Sequence, residues 1–378
     1  EIPLRLVGSE MCIRDRYVKD QISMKKGVDI FAGAGGMSLG AISSGIEIVL
    51  SIDCDESSVK TYKRNHPDTL VIQDDIKNID PMRYIKGNDI YVVFGGPPCQ
   101  GFSLSNTKTR NTKNPNNKLF KEFVRFIDII SPEWFVFENV EGITNFNNGK
   151  TVKSIKRLFR KMGYSTQEAV LYASDYGVPQ HRNRFFMVGN KRGIRFEFPQ
   201  KFNYTVNVED AILDLPDLEN GDSFEILPYK KNENLSSYAL SMRKGSLFST
   251  QNYVSRNKDY VIERYNYIKQ GENWRAIPEE LMGNYADRHN CHSGIYRRLD
   301  AAKPSVVISN YRKNMLIHPF ANRGLSVREA ARLQSFPDSF VFEGSLMHIQ
   351  QQIGNAVPPL LAKVIFEQIL SYGNGTGE

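Results

Sequence analysis

The feature that most constrains this chain is a rhythm. From residue 27 to about residue 195, short apolar runs (VDIF, EIVLSI, IYVVFGG, EWFVFENV, RFFMVGN) alternate with helix-like segments such as residues 118–130 and 152–162. Buried strands alternating with helices imply an α/β domain with a largely parallel sheet. Such sheets bind ligands beyond the carboxyl ends of their strands, so the residues that follow each run are where chemistry is expected.

The rhythm breaks after Phe198. Residues 199–323 are dense in Tyr, Asn and Lys, with a helix expected only around 258–270, and read as a second, less regular domain. Residues 229–270 hold eight Lys or Arg against three Asp or Glu, a local charge of +5, interleaved with Tyr238, Tyr253, Tyr260, Tyr265 and Tyr267. That mixture suits a nucleic-acid face, and a solvated loop-rich surface is the plainer alternative. Helical periodicity returns with SVREAARLQSFPDSF from Ser326, and VPPLLAKVIFEQIL from Val357 reads as an amphipathic closing helix.

Composition sets the outer bounds. At 378 residues the chain is long enough for two domains, at roughly 100 to 200 residues each. No apolar run approaches the ~20 residues of a membrane span, so no membrane partner is expected. Forty-nine Lys and Arg against 42 Asp and Glu leave +7, which suits a polyanionic partner without establishing one. The four cysteines (Cys12, Cys54, Cys99, Cys291) form no CxxC pair and no secretory signal is present, so neither a metal site nor a disulfide framework is indicated, and a reduced cytoplasmic compartment is expected. Residues 1–23 carry four acids and four bases and read as a non-native extension ahead of Met24, whose removal leaves the net charge unchanged.

Four motifs sit where chemistry is expected. DIFAGAGGMSLG runs from a strand through Gly33, Gly35 and Gly36 into a helix, a turn that admits a ligand to the helix N-terminus, although Ser38 breaks the GxGxxG dinucleotide fingerprint. Asp53 ends the run EIVLSI and is placed to accept from a ribose diol, and Asp75 follows the next, shorter run LVIQ; together with the glycine turn they favour an adenosyl ligand. GGPPCQGFS puts Cys99 after a strand between a rigid Pro97-Pro98 pair and Gln100; a buried cysteine is commonly a small hydrophobe, but this setting points to function. Behind it, TKTRNTKNPNNK (residues 107–118) has four bases and no acid, as a phosphate-closing loop or an exposed linker would. FVFENVEG ends an apolar strand in Glu138 and Asn139, where a carboxylate must be paired or functional. In PQHRNRFFMVG, Arg182 and Arg184 share a face if extended and can hold a carboxylate, a phosphate or a base carbonyl, with His181 turned to the surface.

The order FAGAGG, PPCQGFS, ENV, QHRNR, a long variable segment and then QQIGNAVPP resembles the C5-cytosine DNA methyltransferase family, of bacterial restriction-modification type, over essentially residues 25–370. The resemblance implies a Rossmann-like S-adenosylmethionine-dependent domain, 24–195 completed by 326–378, and a smaller irregular target-recognition domain, 196–325. It implies that Cys99 adds to carbon 6 of a flipped-out cytosine, that Glu138 contacts ring nitrogen 3, and that Arg182 and Arg184 surround the base. S-adenosyl-L-methionine, leaving as S-adenosyl-L-homocysteine, would lie on Phe31, Gly33, Gly36, Asp53, Asp75, Ile76, Pro98, Leu119, Asn355 and Val357. Cys54 stands where many relatives have an aromatic residue. Ser105, Lys108, Arg110 and Ser309, the last where Thr is usual, would meet double-stranded DNA. A monomer of the prokaryotic nucleoid, with a cognate restriction endonuclease acting independently, completes the expectation. The alternatives are an RNA (tRNA) C5-cytosine methyltransferase, a non-catalytic DNA-binding relative, and a nicotinamide dehydrogenase, which Ser38 disfavours.

Overall fold

The protein is described here by a computed structural model covering residues 24–85, 89–98, 119–231, 234–283, 294–313 and 315–373. Residues 1–23 lie outside it.

Seven strands form one sheet in the order β3-β2-β1-β4-β5-β7-β6. They are β1 Lys25–Ile30, β2 Ile46–Asp53, β3 Leu70–Gln73, β4 Ile90–Gly95, β5 Trp134–Val140, β6 Ser165–Tyr172 and β7 Asn183–Asn190. β1 to β5 are parallel, and β7 lies antiparallel between β5 and β6. The expected mostly parallel α/β sheet is therefore present. The apolar runs became strands because their alternate residues are buried on opposite faces: Phe135 and Phe137 enter one cluster, Trp134 and Val136 the other.

Helices cover both faces. On one, α3 (Phe120–Ile130) and α4 (Lys150–Lys161) bury Phe123, Phe126, Ile155 and Phe159 against β1, β4, β5 and β7. On the other lie α1 (Gly36–Ser43) and α10 (Pro359–Ser371), while α2 (Glu56–Asn65) packs beside β2 and β3. Helix α10 is the expected closing helix, and it is more deeply buried than a surface amphipath, with Leu361, Ala362, Ile365, Phe366 and Ile369 all inside. Residues 346–371 are apolar enough in composition to cross a membrane, but they fold as two helices broken at Ala356 and are more than half buried within the protein.

The irregular region has a two-stranded antiparallel sheet, β8 (Ser223–Pro228) with β9 (Phe248–Tyr253), and short helices α5 (Val208–Ile212), α6 (Ser237–Arg243) and α7 (Asp259–Tyr265). The helix expected at 258–270 is real but stops at Tyr265. One cluster joins Val208, Ile212 and Met242 to α8 (Val327–Leu333) and α9 (Leu346–Asn355), so the first part of the insert shares a core with the returning chain. Fully buried Arg332 welds the two, reaching Asp214 at 2.5 Å and Asp338 at 2.6 Å. A second cluster, around Tyr265, Trp274, Tyr296 and Ile317, stands apart from the first.

Candidate active site

The site is built on the carboxyl ends of β4 and β5 and the start of β7. Because β7 is antiparallel to β5, Glu138 faces Phe186 and Val140 faces Arg184. Arg184 is two residues from Phe186 and so lies on the same face as Glu138, one diagonal step away. The result is a buried ion pair, Arg184 Nε to Glu138 Oε1 at 2.9 Å. Gly96 makes room for it, since a Cβ there would fall 2.4 Å from Glu138 Oε2. Asn139 donates its side-chain amide to the Pro97 carbonyl at 3.3 Å, so the tip of β5 buttresses the Pro-Pro segment that leads to Cys99. Cys99, Ser105, Lys108 and Arg110 lie outside the described residues.

Burial pushes the Glu138 carboxyl up, against the opposing pull of Arg184 and then Arg182, and the net direction is upward. Burial lowers both guanidinium groups, and Arg184 lowers Arg182 further by like-charge repulsion.

Arg182, also buried, is spent largely on backbone: it donates to the Ile308 carbonyl at 2.9 Å and to that of Gly354 at 2.7 Å. Gln180, which opens the QHRNR motif but to which the sequence assigned no role, completes this junction. Its amide donates to the Leu333 carbonyl and to Gln334, both at 3.1 Å, and accepts from Ile308 N at 2.9 Å. The insert residue Ile308 is thus clamped between the approach to β7 and the C-terminal segment. Gly354 lets the chain past, because a Cβ there would meet the Ser309 carbonyl at 2.3 Å. The exposed Ser309 follows directly after the clamp, and His181 is exposed as expected. A buried amide within a polar run has no sequence signature of its own.

The second half of the site surrounds the turn after β1. Phe31 and Gly33 have positive φ, 61° and 54°, and Gly33 opens onto free space with no atom within 4 Å of a Cβ position. Asp53, at the end of β2, accepts from Gly33 N and from Asp55 N, both at 2.8 Å, and so braces the turn. Its carboxyl is raised by burial. Gly36 is a packing glycine, where a Cβ would meet the Val357 carbonyl at 2.4 Å. Asp75 is exposed, caps the short turn Ile76–Asn78 and pairs with Lys77 at 3.3 Å, while Ile76 is buried beside it. Leu119 is half-buried ahead of α3, Pro98 is exposed, and exposed Asn355 accepts from Gln351 at 2.7 Å. An open glycine turn, two carboxylates and the apolar Phe31 and Ile76 fit a ligand with a polar end, a diol and a flat ring.

The basic stretch 229–270 is less available than its composition implies. Arg243 pairs with Asp214 at 2.7 Å, Lys230 with Asp217 at 2.6 Å, and buried Arg264 donates to the Leu281 carbonyl and the Tyr296 hydroxyl. Tyr238 and Tyr265 are core residues, whereas Tyr260 and Tyr267 remain exposed.

Comparison with known proteins places the chain in a family. The C-5 cytosine-specific DNA methylase family matches residues 25–371. The chain belongs to that family. It is a DNA (cytosine-5-)-methyltransferase, 38% identical to the type II methyltransferase M1.HphI of Haemophilus parahaemolyticus over 348 residues, covering 91% of this chain and 86% of the relative. It is 37% identical to the type II methyltransferase M.DdeI of Desulfomicrobium norvegicum, covering 91% and 88%. A solved DNA modification methyltransferase encoded within an E. coli prophage superposes with a TM-score of 0.76 at 26% identity, over 93% of this chain and 100% of that one. The methylase fold thus places the Glu138–Arg184 pair and the opened glycine turn along one edge of the sheet.

Proposed function

We propose that this methylase transfers a methyl group from S-adenosylmethionine to carbon 5 of a cytosine flipped out of a specific duplex sequence, through a covalent adduct between Cys99 and carbon 6. The observation that supports it is a buried carboxyl, Glu138, raised in pKa and aimed by Arg184 beside the Pro97-Pro98 lead-in to the only thiol in that segment.

Carbon 5 is too weak a nucleophile to react unaided. The Cys99 thiolate forms a C–S bond to carbon 6, and the displaced electron pair moves through the ring toward nitrogen 3, where Glu138 donates its proton or a strong hydrogen bond. The resulting enamine is nucleophilic at carbon 5. S-adenosylmethionine supplies an electrophilic methyl group. Removal of the carbon 5 proton by base then restores the ring double bond as the thiolate leaves, and any proton held at nitrogen 3 returns to Glu138. Arg184 holds Glu138 and, with Arg182, supplies positive potential around the base and the thiolate, which favours the reactive form of Cys99.

Phe31, Gly33, Asp53, Asp75, Ile76, Pro98, Leu119, Asn355 and Val357 would hold the donor, with Gly36 allowing Val357 its approach. Exposed Cys54 offers no aromatic face to the adenine. Ser105, Lys108, Arg110 and Ser309 would contact the DNA. On this reading the enzyme works as a monomer in the cytoplasm, with a cognate restriction endonuclease acting independently.

Labelled methyl transfer to unmethylated duplex DNA and to tRNA tests the reading. Label in duplex DNA, lost in Cys99→Ala while donor binding stays within a few-fold, is expected. Undiminished turnover in Cys99→Ala, or label in tRNA alone, would overturn it. Bisulfite mapping of DNA from expressing cells would then give the target sequence.

A further inference from the structure

Helix α4 reads KTVKSIKRLFRK, six bases and no acid. Ile155 and Phe159 anchor it in the core, and Lys156 pairs with Glu168 of the edge strand β6 at 2.7 Å. Lys150, Lys153, Arg157, Arg160 and Lys161 are exposed. At about 100° per residue these five fall within one sector of about 100°, opposite Ile155 and Phe159, and at 1.5 Å per residue they make a stripe about 16 Å long. Among the described residues none of the five has a carboxylate partner.

This is not how the protein builds a merely solvated helix. Helix α2 pairs two of its exposed bases, Lys60 with Glu56 at 2.6 Å one turn apart and Arg64 with Glu343 at 3.0 Å. In α4 the one-turn neighbours Lys153 and Arg157, and Arg157 and Lys161, repel each other. Its first turn holds no acid and its N-cap, Gly149, offers no side-chain cap, so Lys150 and Lys153 also oppose the helix dipole. All of these penalties are relieved by a polyanion. The helix begins where the chain leaves the Glu138 end of β5, through the turns Glu141–Ile143 and Phe146–Gly149, and runs back along the outer layer from the catalytic edge.

We infer that the outer stripe of α4 binds the phosphate backbone of duplex DNA flanking the target, independently of its sequence. Charge complementarity fixes the partner, and the inference rests on DNA being the substrate. A duplex advances about 3.4 Å per base pair, so the stripe spans about five pairs. Of the eight bases in residues 229–270, Lys230, Arg243 and Arg264 are engaged internally, and α4 adds a second exposed basic surface to the five that remain exposed.

The test uses the full-length protein, 12-bp and 40-bp duplexes of one arbitrary sequence, and a titration of NaCl. Wild-type enzyme should bind the longer duplex with a steeper dependence of log Kd on log salt. The variant Lys153→Gln/Arg157→Gln/Arg160→Gln should lose about 2 to 3 of that slope, near 0.9 per lost phosphate contact, and weaken on the 40-bp duplex about tenfold at low salt, with a smaller loss on the 12-bp duplex. The charge-conserving variant Lys153→Arg/Arg157→Lys/Arg160→Lys should behave as wild type, and an unchanged melting temperature excludes misfolding. A wild-type slope in the glutamine variant would overturn the inference and leave the stripe to an acidic protein partner. Wild-type enzyme that fails to methylate any duplex DNA would instead overturn the substrate reading, and the stripe with it.

Discussion

The lip of the sheet and the insert both bury arginines, to opposite ends. At the lip, Arg184 leaves its carboxylate partner directed into the site, and Glu138 is raised in pKa. In the insert junction, Arg332 saturates Asp214 and Asp338, and Arg323 grips Glu329 with two hydrogen bonds at 2.7 and 2.9 Å, holding that carboxyl down to about 2. One carboxyl is left incompletely neutralised; the others are closed on their arginines. Burial alone therefore does not mark function, and what separates the two is whether the charge is fully spent.

Substitutions can break this contrast. The largest effect is expected from Glu138→Gln, which keeps the shape but removes the titratable proton; turnover should fall about 10²- to 10⁴-fold with folding intact. Stopped or quenched single-turnover assays would check it, and near-normal rates would make Glu138 structural. Arg332→Ala should strip buried Asp338 of its close cation, leave Asp214 held by Arg243 alone, and cost about 3 to 5 kcal/mol, read by denaturant unfolding. A loss confined to turnover, with stability unchanged, would contradict the assignment of that junction as structural.

Gly96→Ala should uncouple Glu138 from Arg184 through the 2.4 Å clash, lowering turnover more than it raises the Kd for S-adenosylmethionine, as calorimetry and initial rates would show. An equal loss in both would indicate a collapsed sheet end instead. The smallest effect is expected in acid. His66 and His318 are each lowered to about 4 by burial, so they are neutral when folded but take up protons when unfolded. The stability they contribute is present above their ordinary value of about 6.5 and is lost as pH falls through about 4. His318→Asn should flatten that part of the melting-temperature profile, whereas Glu329 keeps its charge until near pH 2.

The contrast also explains what could be read from the chain. The strands β1, β2, β4, β5 and β7 are visible as apolar runs because both their faces are covered. β6, STQEAVLY, is half exposed at the sheet edge and has no such run, and nothing in RFFMVGN announces that β7 is antiparallel. Glu138 and the Arg182/Arg184 pair stand out as charges abutting apolar strands. The insert was opaque because its arginines look like surface charge in sequence, yet Arg264, Arg298 and Arg323 donate to backbone carbonyls brought close only by folding. Gln180 is hidden for the same reason.

The seating of α10 reaches beyond the finished structure. Gly40 of α1 lies where a Cβ would strike Ala362 and the Pro359 carbonyl, and Ser44 bonds to the Lys363 carbonyl 319 residues later in the chain. During synthesis, then, the face of α1 that α10 covers stays bare through nearly the whole of translation before its partner arrives, a slow, nonlocal closure. The unfinished enzyme is therefore expected to bind factors that shield apolar surface on the ribosome. A circular permutant that makes α9 and α10 first should spare it that wait.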